Sequence, residues 1–467
     1  MQLKDVIESP CGLRYMFDQL DLQSSFGRRS LLDMPMMKNA SEIGECYAVL
    51  KSFHDFVLEP ENTPYINTLQ SKLQCLKDVR TTIKHLGESA VLDDIELFEV
   101  KHLAILTADI SERLQKLGLD KVIALPDMQN VISILDPDGL KIATFYIYDS
   151  YSEDLKELRA LIRKSPDMQE ELLLKANEIE DGIRLELSRK LRPFAAEIEQ
   201  AQRALAQVDI NLAKALQMKQ LGLVFPSVSK GTTSYRGLFH PQVKNSLAAV
   251  GKLYQPVDIS FGQQPTLITG ANMGGKTVVL KTLTLCQYLF QFGFGIPAEK
   301  AEIDVRDEIY FCIGDEQSIE KGLSSFAAEM KNIDAVIKAS RKEGNIVAMV
   351  DEPARTTNPT EGAALVTALI ELLSGKNVSL VLTTHYDIES ASSKRLRVKG
   401  FVDGQMNYQL VEVKEGEVPH EALNIAESLG IDCEWIEKAR EVLIMSNSTQ
   451  LNSSNSTLSR KEEGIKA

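Results

Sequence analysis

Gly270-Ala271-Asn272-Met273-Gly274-Gly275-Lys276-Thr277 lies between two apolar runs, Thr266-Leu267-Ile268-Thr269 and Val278-Val279-Leu280-Lys281-Thr282-Leu283. The first run reads as a buried strand and the second as the opening of a helix, which is the setting a phosphate-binding loop requires. Glycines let the backbone curl until successive N–H groups face one anion, and the helix that follows aims its positive end at the same point. Gly270 to Val278 would cradle the phosphates of ATP. Lys276 would reach the terminal phosphates, and the Thr277 hydroxyl would ligate Mg²⁺.

A phosphate loop becomes a hydrolytic site only when a carboxylate completes the metal shell and another orients water. Asn345-Ile346-Val347-Ala348-Met349-Val350-Asp351-Glu352 reads as a buried strand ending in two acids. Asp351 would hold Mg²⁺ through water and Glu352 would act as general base; the alternative is a strand end closed by two solvated acids. A third apolar strand, Leu380-Val381-Leu382-Thr383-Thr384, ends at His385. That histidine is a candidate to sense the terminal phosphate or to position Glu352, or is a bland strand-end residue. Tyr254 is a candidate to stack on adenine, or an ordinary core or surface tyrosine.

The rest of the chain sets the context. Its 467 residues are enough for roughly three domains. A net charge of −14 argues against a general binder of the phosphate backbone, so any DNA contact must be local or weak. The six cysteines form no close Cys-x-x-Cys pair, which argues against zinc and against a disulfide framework. The N-terminus lacks the apolar core of a signal peptide and no stretch has the length to span a bilayer, so a soluble, cytoplasmic protein with no membrane partner is expected. Residues 1 to about 115 carry apolar positions at helical spacing. Arg28 and Arg29 read as solvated or ion-paired rather than as phosphate contacts. Val131 to Ile147, with two apolar runs around Asp136-Pro137-Asp138-Gly139, predicts a small hairpin. Residues 152–218 read as two or three long helices broken near Pro166 and Pro193. The charged stretch from Glu170 reads as a solvated coiled-coil face, with a partner or DNA-clamp surface as the sharper alternative. Residues 219–265 read as short strands, 266–415 as strands alternating with helices, Glu421 to Gly430 and Cys433 to Ile444 as two helices, and the segment beyond Ser446 as a disordered tail.

Between the phosphate loop and the two acids lies Gly314-Asp315-Glu316-Gln317-Ser318-Ile319-Glu320, followed by Ser324-Ser325-Phe326-Ala327-Ala328-Glu329-Met330. Together with Asn272-Met273 of the loop, Asp351-Glu352 and Thr384-His385-Tyr386, these resemble the MutS family of ATPases. The Gly-Asp-Glu-Gln-Ser-Ile-Glu run is most similar to its second bacterial paralogue, the one linked with recombination. Weaker resemblance extends over Ser25–Phe53 and Asp138–Leu161, similar to the family's lever helices, and over Glu417–Leu443, similar to its dimerisation helices.

The resemblance implies a multidomain α plus α/β protein. Residues 1–218 would form a helical lever region with a short clamp, 219–415 a P-loop (ABC-like) ATPase domain with a mainly parallel sheet, 416–446 a helical dimerisation segment and 447–467 the tail. It also implies a homodimer that hydrolyses ATP with Mg²⁺, each nucleotide lying against Asn272 of one subunit and Ser324 of the other. The implied client is DNA, mismatched or branched duplex, in mismatch repair or recombination. The alternative client is a protein, a cobalamin-dependent lysine aminomutase reactivated by the ATPase. No room for a mismatch-reading Phe-x-Glu wedge is expected before residue 25, nor a C-terminal nuclease domain. Pro353-Ala354 stands where the family usually has an aliphatic residue and glycine.

Overall fold

The computed structural model describes the chain except at residues 143, 165–168, 271–274, 314–324, 387, 389, 403–404, 414–429 and 442–467. The chain divides into two compact units, Met1–Phe225 with Tyr288–Ile296, and Pro226–Gln287 with Pro297 onward.

The first unit is helical. It begins with α1 (Leu3–Val6), α2 (Leu13–Asp18), α3 (Ser25–Leu32), α4 (Ala40–Leu58), α5 (Thr63–Leu73) and α6 (Arg80–Gly87). It continues with α7 (Asp94–Lys116), α8 (Gln129–Leu135), α9 (Glu153–Lys164), α10 (Gln169–Leu191) and α11 (Ala195–Leu221). Local chemistry sets the ends. Asp93 and Glu96 form a reciprocal capping box on α7, satisfying two otherwise orphaned donors, and Gly222 closes α11 in the left-handed conformation at φ 66°. Helix α11 packs along α4, α3 and α7 and carries a nearly unbroken buried stretch from Leu205 to Ala215. Helix α10 is exposed along much of its length but is not free: Arg184 pairs with Asp94, and Glu180 with Arg159.

One expected element is absent. Val131 to Leu135 belongs to α8, and Leu140 to Tyr148 forms no strand among the described residues. The Asp-Pro-Asp-Gly turn itself is present, closed by the Gly139 N–H on the Asp136 carbonyl. Val131, Ile132 and Leu135 are buried on one helical face, so packing against the helical layer wins over strand pairing. Arg28 lies over the Phe17 ring and Arg29 pairs with Asp78, the structural role expected for both.

The second unit is α/β. Its elements are β1 (Ser227–Ser229), β2 (Thr232–Leu238), α12 (Pro241–Ala249), β3 (Val257–Gly262), β4 (Thr266–Thr269), α13 (Lys276–Gln291), β5 (Lys300–Asp304) and β6 (Glu308–Cys312). Then follow α14 (Ser325–Ala339), β7 (Ile346–Val350), α15 (Pro359–Leu373), β8 (Val378–Thr383), β9 (Lys394–Val402) and β10 (Gln405–Glu412). Residues 433–441 are helical. Helix α12 departs from the short strands expected over 219–265; Pro241 starts it at a position that needs no backbone donor.

A small sheet runs β1-β5-β2-β3, and a six-stranded sheet runs β10-β9-β4-β8-β7-β6. In the larger sheet only the β10–β9 pair is antiparallel. Strands β7 and β8 are buried at every residue, as central parallel strands must be when both faces are covered. On one face Leu267, Ala348, Val350, Leu380 and Leu382 meet Val336 of α14 and Val366, Ile370 and Leu373 of α15. Ile268, Val347, Met349 and Val381 alternate to the other face and are equally buried. The mainly parallel sheet expected for this region is therefore present.

Candidate functional site

Parallel strands bring their carboxyl ends to one edge, and the polar residues that terminate β4, β7 and β8 meet there. Ile268 of β4 is registered with Thr383 of β8, and Leu382 of β8 with Val350 of β7. The strand order therefore sets Thr383 between the phosphate loop and the two acids. Its hydroxyl donates to Asp351 Oδ1 at 2.6 Å and accepts from the Glu352 N–H at 2.9 Å. In the sequence Thr383 is one residue of an apolar strand, and its role follows from strand order, which spacing along the chain does not reveal.

Helix α13 starts at Lys276, immediately after the loop, and Gly270 and Gly275 take φ of 132° and 74°, which side chains other than glycine rarely tolerate. Lys276 is buried; its Nζ donates to the Gly270 carbonyl at 2.7 Å and lies 3.4 Å from Glu352 Oε1. The Thr277 hydroxyl donates to Asp351 Oδ2 at 2.8 Å. Glu352 also meets the exposed Arg355, with Nη1 at 3.1 Å from Oε2. Lys276, Thr277, Asp351 and Glu352 are thus brought together as the motif reading expects.

The donor set suits a hard divalent cation that retains waters and substrate oxygens: one hydroxyl and one carboxylate, already in contact. Among the described residues no group of three or more His, Cys, Asp or Glu is placed to hold a metal by itself. Thr277 and Asp351 are the residues that would hold Mg²⁺ here, and the ion would neutralise charge on the phosphate oxygens.

The other candidates divide. Tyr254 is half-buried and its hydroxyl is hydrogen-bonded to Thr282 of α13 and to the His240 backbone; burial pushes its pKa up. It is anchored to the helix that follows the loop. His385 is exposed, its ring 4.2 Å from that of the buried Tyr386. Val278 is half-buried in the first turn of α13. Ala271, Asn272, Met273, Gly274 and Ser324 lie outside the described residues. Tyr408 of β10, which the sequence did not single out, packs on the loop: a Cβ at Gly275 would sit 3.2 Å from its ring.

A strand, a glycine loop with a buried lysine, a helix, and two acids at the end of the next strand but one define a nucleotide-binding protein of the phosphate-loop class. Comparison narrows the class. Residues 266–444 match the family described as MutS domain V. Endonuclease MutS2 of Carboxydothermus hydrogenoformans is 35% identical over 283 residues, covering 58% of this chain and 35% of that protein. Endonuclease MutS2 of Enterococcus faecalis is 31% identical over 303 residues, covering 62% and 36%, and that of Streptococcus gordonii 37% over 218, covering 45% and 27%. The chain is similar to the MutS family over the part of its length that these matches cover, residues 266–444 for the family model. It spans about a third of the length of these curated relatives. The relatives lend no support to the lysine aminomutase reading. No helix among the described residues is long and apolar enough to cross a membrane.

Proposed function

We propose that the chain binds ATP and hydrolyses it to ADP and phosphate, and that turnover drives a homodimeric clamp on DNA. One observation carries the hydrolytic reading: Lys276 meets Glu352 while Thr277 meets Asp351, at a single sheet edge. Each pair joins a phosphate-loop residue to an acid, and phosphates entering between them would redirect all four side chains. Lys276 exchanges Glu352 for phosphate oxygens, which releases the carboxylate. Glu352 then takes a proton from water as the water oxygen attacks the terminal phosphorus and the bond to the bridging oxygen of ADP breaks. Mg²⁺, held through Thr277 and Asp351, supplies charge neutralisation on the phosphate oxygens. Tyr254 offers its ring to adenine, and His385 lies near enough in sequence to Glu352's neighbours on β8 to respond to the terminal phosphate.

The DNA client rests on the relatives, whose name is Endonuclease MutS2. Within the dimer Ser324 contacts the partner's nucleotide, and the segment 416–446 joins the subunits. The helical residues 1–218 hold the duplex, and the protein works in the cytoplasm. With a net charge of −14, the contact with DNA is confined to local basic groups.

Phosphate release by the full-length protein tests the hydrolytic reading. Turnover should require Mg²⁺, and Glu352→Gln should lower it by about 10²–10⁴-fold while ATP still binds. A parental rate in Glu352→Gln removes the general-base assignment. Ser324→Arg should abolish the ATP-dependent increase in sedimentation coefficient shown by the parent; an unchanged increase rejects the contact between subunits. For the client, anisotropy of labelled duplex, mismatched and branched DNA is read without nucleotide, with ADP and with ATP. Nucleotide-dependent binding that weakens steeply with salt supports DNA, and no binding in any state rejects it.

A further inference from the structure

The loop that follows the two acids is held in an unusual backbone conformation. Glu352 has φ 42° and Ala354 φ 60°, two of the four non-glycine residues with positive φ among those described. Side chains with a Cβ disfavour this region, so such residues persist only where their surroundings over-determine them, and they cluster at functional sites. Pro353 between them adds a fixed φ of its own.

The surroundings here are specific. The Ala354 N–H donates to Glu329 Oε1 at 3.0 Å, and the Tyr386 hydroxyl donates to the Ala354 carbonyl at 2.7 Å. The Glu352 N–H is held by Thr383 and the Thr357 N–H returns to the Ala354 carbonyl at 3.2 Å. Ala354 is fully buried. Gly362 makes room for the arrangement: a Cβ there would lie 2.2 Å from the Tyr386 hydroxyl oxygen. Glu329 is half-buried, and burial raises its pKa while the Ala354 N–H opposes the rise. A carboxylate kept partly out of water with a backbone N–H as its partner needs a reason beyond surface solvation.

We infer that Glu329 is a positioning residue for Glu352, gripping Ala354 from α14 so that the left-handed turn aims the catalytic carboxylate. This rests on the reading of Glu352 as general base. Tyr386 is the second arm of the same brace, holding the Ala354 carbonyl as Glu329 holds the N–H. Because Glu329 stands one turn into α14, the helix that opens at Ser325, any displacement of that helix pulls on the loop carrying Glu352. Neither Glu329 nor Tyr386 touches substrate in this scheme. Each acts through Ala354, so its loss changes the aim of the base and leaves the phosphate cradle alone.

The test uses the full chain, with ATP turnover read by phosphate release and ATP affinity read by calorimetry. Glu329→Ala should lower kcat about 10–100-fold, the scale on which a small misplacement of a catalytic group is felt, with Kd for ATP within about twofold of the parent. Glu329→Gln keeps an acceptor oxygen and should retain most of the rate. The double variant Glu329→Ala with Ala354→Gly should recover part of the loss, because glycine reaches φ near 60° without the Cβ strain that the brace offsets. Tyr386→Phe removes only a hydroxyl and should show the same pattern, a lower kcat at unchanged Kd. The inference is overturned if Glu329→Ala turns over at the parental rate while Glu352→Gln is inactive. It is equally overturned if kcat and affinity fall together with no rescue by Gln or by glycine, since that is the signature of a residue needed only for folding. Parental turnover by Glu352→Gln would take the general-base reading and this inference down together.

Discussion

In the helical unit the Lys101 ammonium meets Asp136 at 3.0 Å and the Tyr148 hydroxyl at 2.7 Å. In the α/β unit the Lys276 ammonium meets Glu352 at 3.4 Å and the Gly270 carbonyl at 2.7 Å. Both lysines are buried, and burial alone does not separate a structural charge from a functional one. Their partners do. Asp136 also accepts from the Lys141 N–H, so the first pair is stitched into its own backbone. Asp209 in the same unit accepts from the Gln23 and Ser24 N–H groups, and Lys214 donates to the Phe292 carbonyl beneath the Phe294 ring. These charges close on the framework that buries them. At the sheet edge Lys276 also rests on the Gly270 carbonyl, but the carboxylates of Asp351 and Glu352 are met by the side chains of Thr277, Thr383, Lys276 and Arg355, and a phosphate can come between them.

The sharpest way to break this comparison is to delete one lysine of each kind. Lys276→Ala should weaken ATP at least about a thousandfold, because it removes the cation from a largely buried phosphate site, and calorimetry should find no comparable loss of folding stability. Lys101→Met should do the reverse. It leaves Asp136 buried without its counter-charge, which costs about 3–5 kcal/mol, read as a lower midpoint in urea, while the ATP affinity of the folded fraction is unchanged. Equal effects of both substitutions on binding and on stability would erase the distinction between the two regions.

A smaller effect sharpens it. Burial pushes Lys214 down to about 8, below the ordinary value of 10.5 it regains on unfolding. Between those values the unfolded chain binds the extra proton, so stability rises as pH climbs through that window and is lower beneath it. The rise is no more than about 3 kcal/mol, and Lys214→Met should lack it. Urea midpoints at pH 7 and pH 10 for both proteins check this, and identical pH dependence would show that Lys214 is not the group responsible.

What could be read before the fold was known was chemistry contiguous along the chain. The loop Gly270–Thr277 and the pair Asp351-Glu352 are each local, and each lies at a strand end as expected. Thr383, Arg355, Glu329 and Tyr386 carry no such local signal, since their contacts with Asp351, Glu352 and Ala354 depend on strand order and on where α14 lies. The hairpin expected over Val131–Ile147 failed for the opposite reason. Its turn is real, but short apolar runs do not choose between strand and helix until something packs on them, and a helical layer made that choice for Val131 to Leu135.

The sequence by itself determined the class of site, because glycine spacing, one lysine, one threonine and two acids at the end of an apolar run carry the phosphate chemistry in their order. The fixed order of its motifs also carries the resemblance to the MutS family, matched over residues 266–444. Only the tertiary structure decided which groups face one another. Parallel pairing of β4, β8 and β7 brings Lys276 and Asp351, 75 positions apart in the chain, to one edge, with Thr383 between them. It also put Glu329 and Tyr386 on either side of Ala354. Those relations come from hydrogen-bonded register and close packing, which act between distant segments and leave no local pattern in the chain.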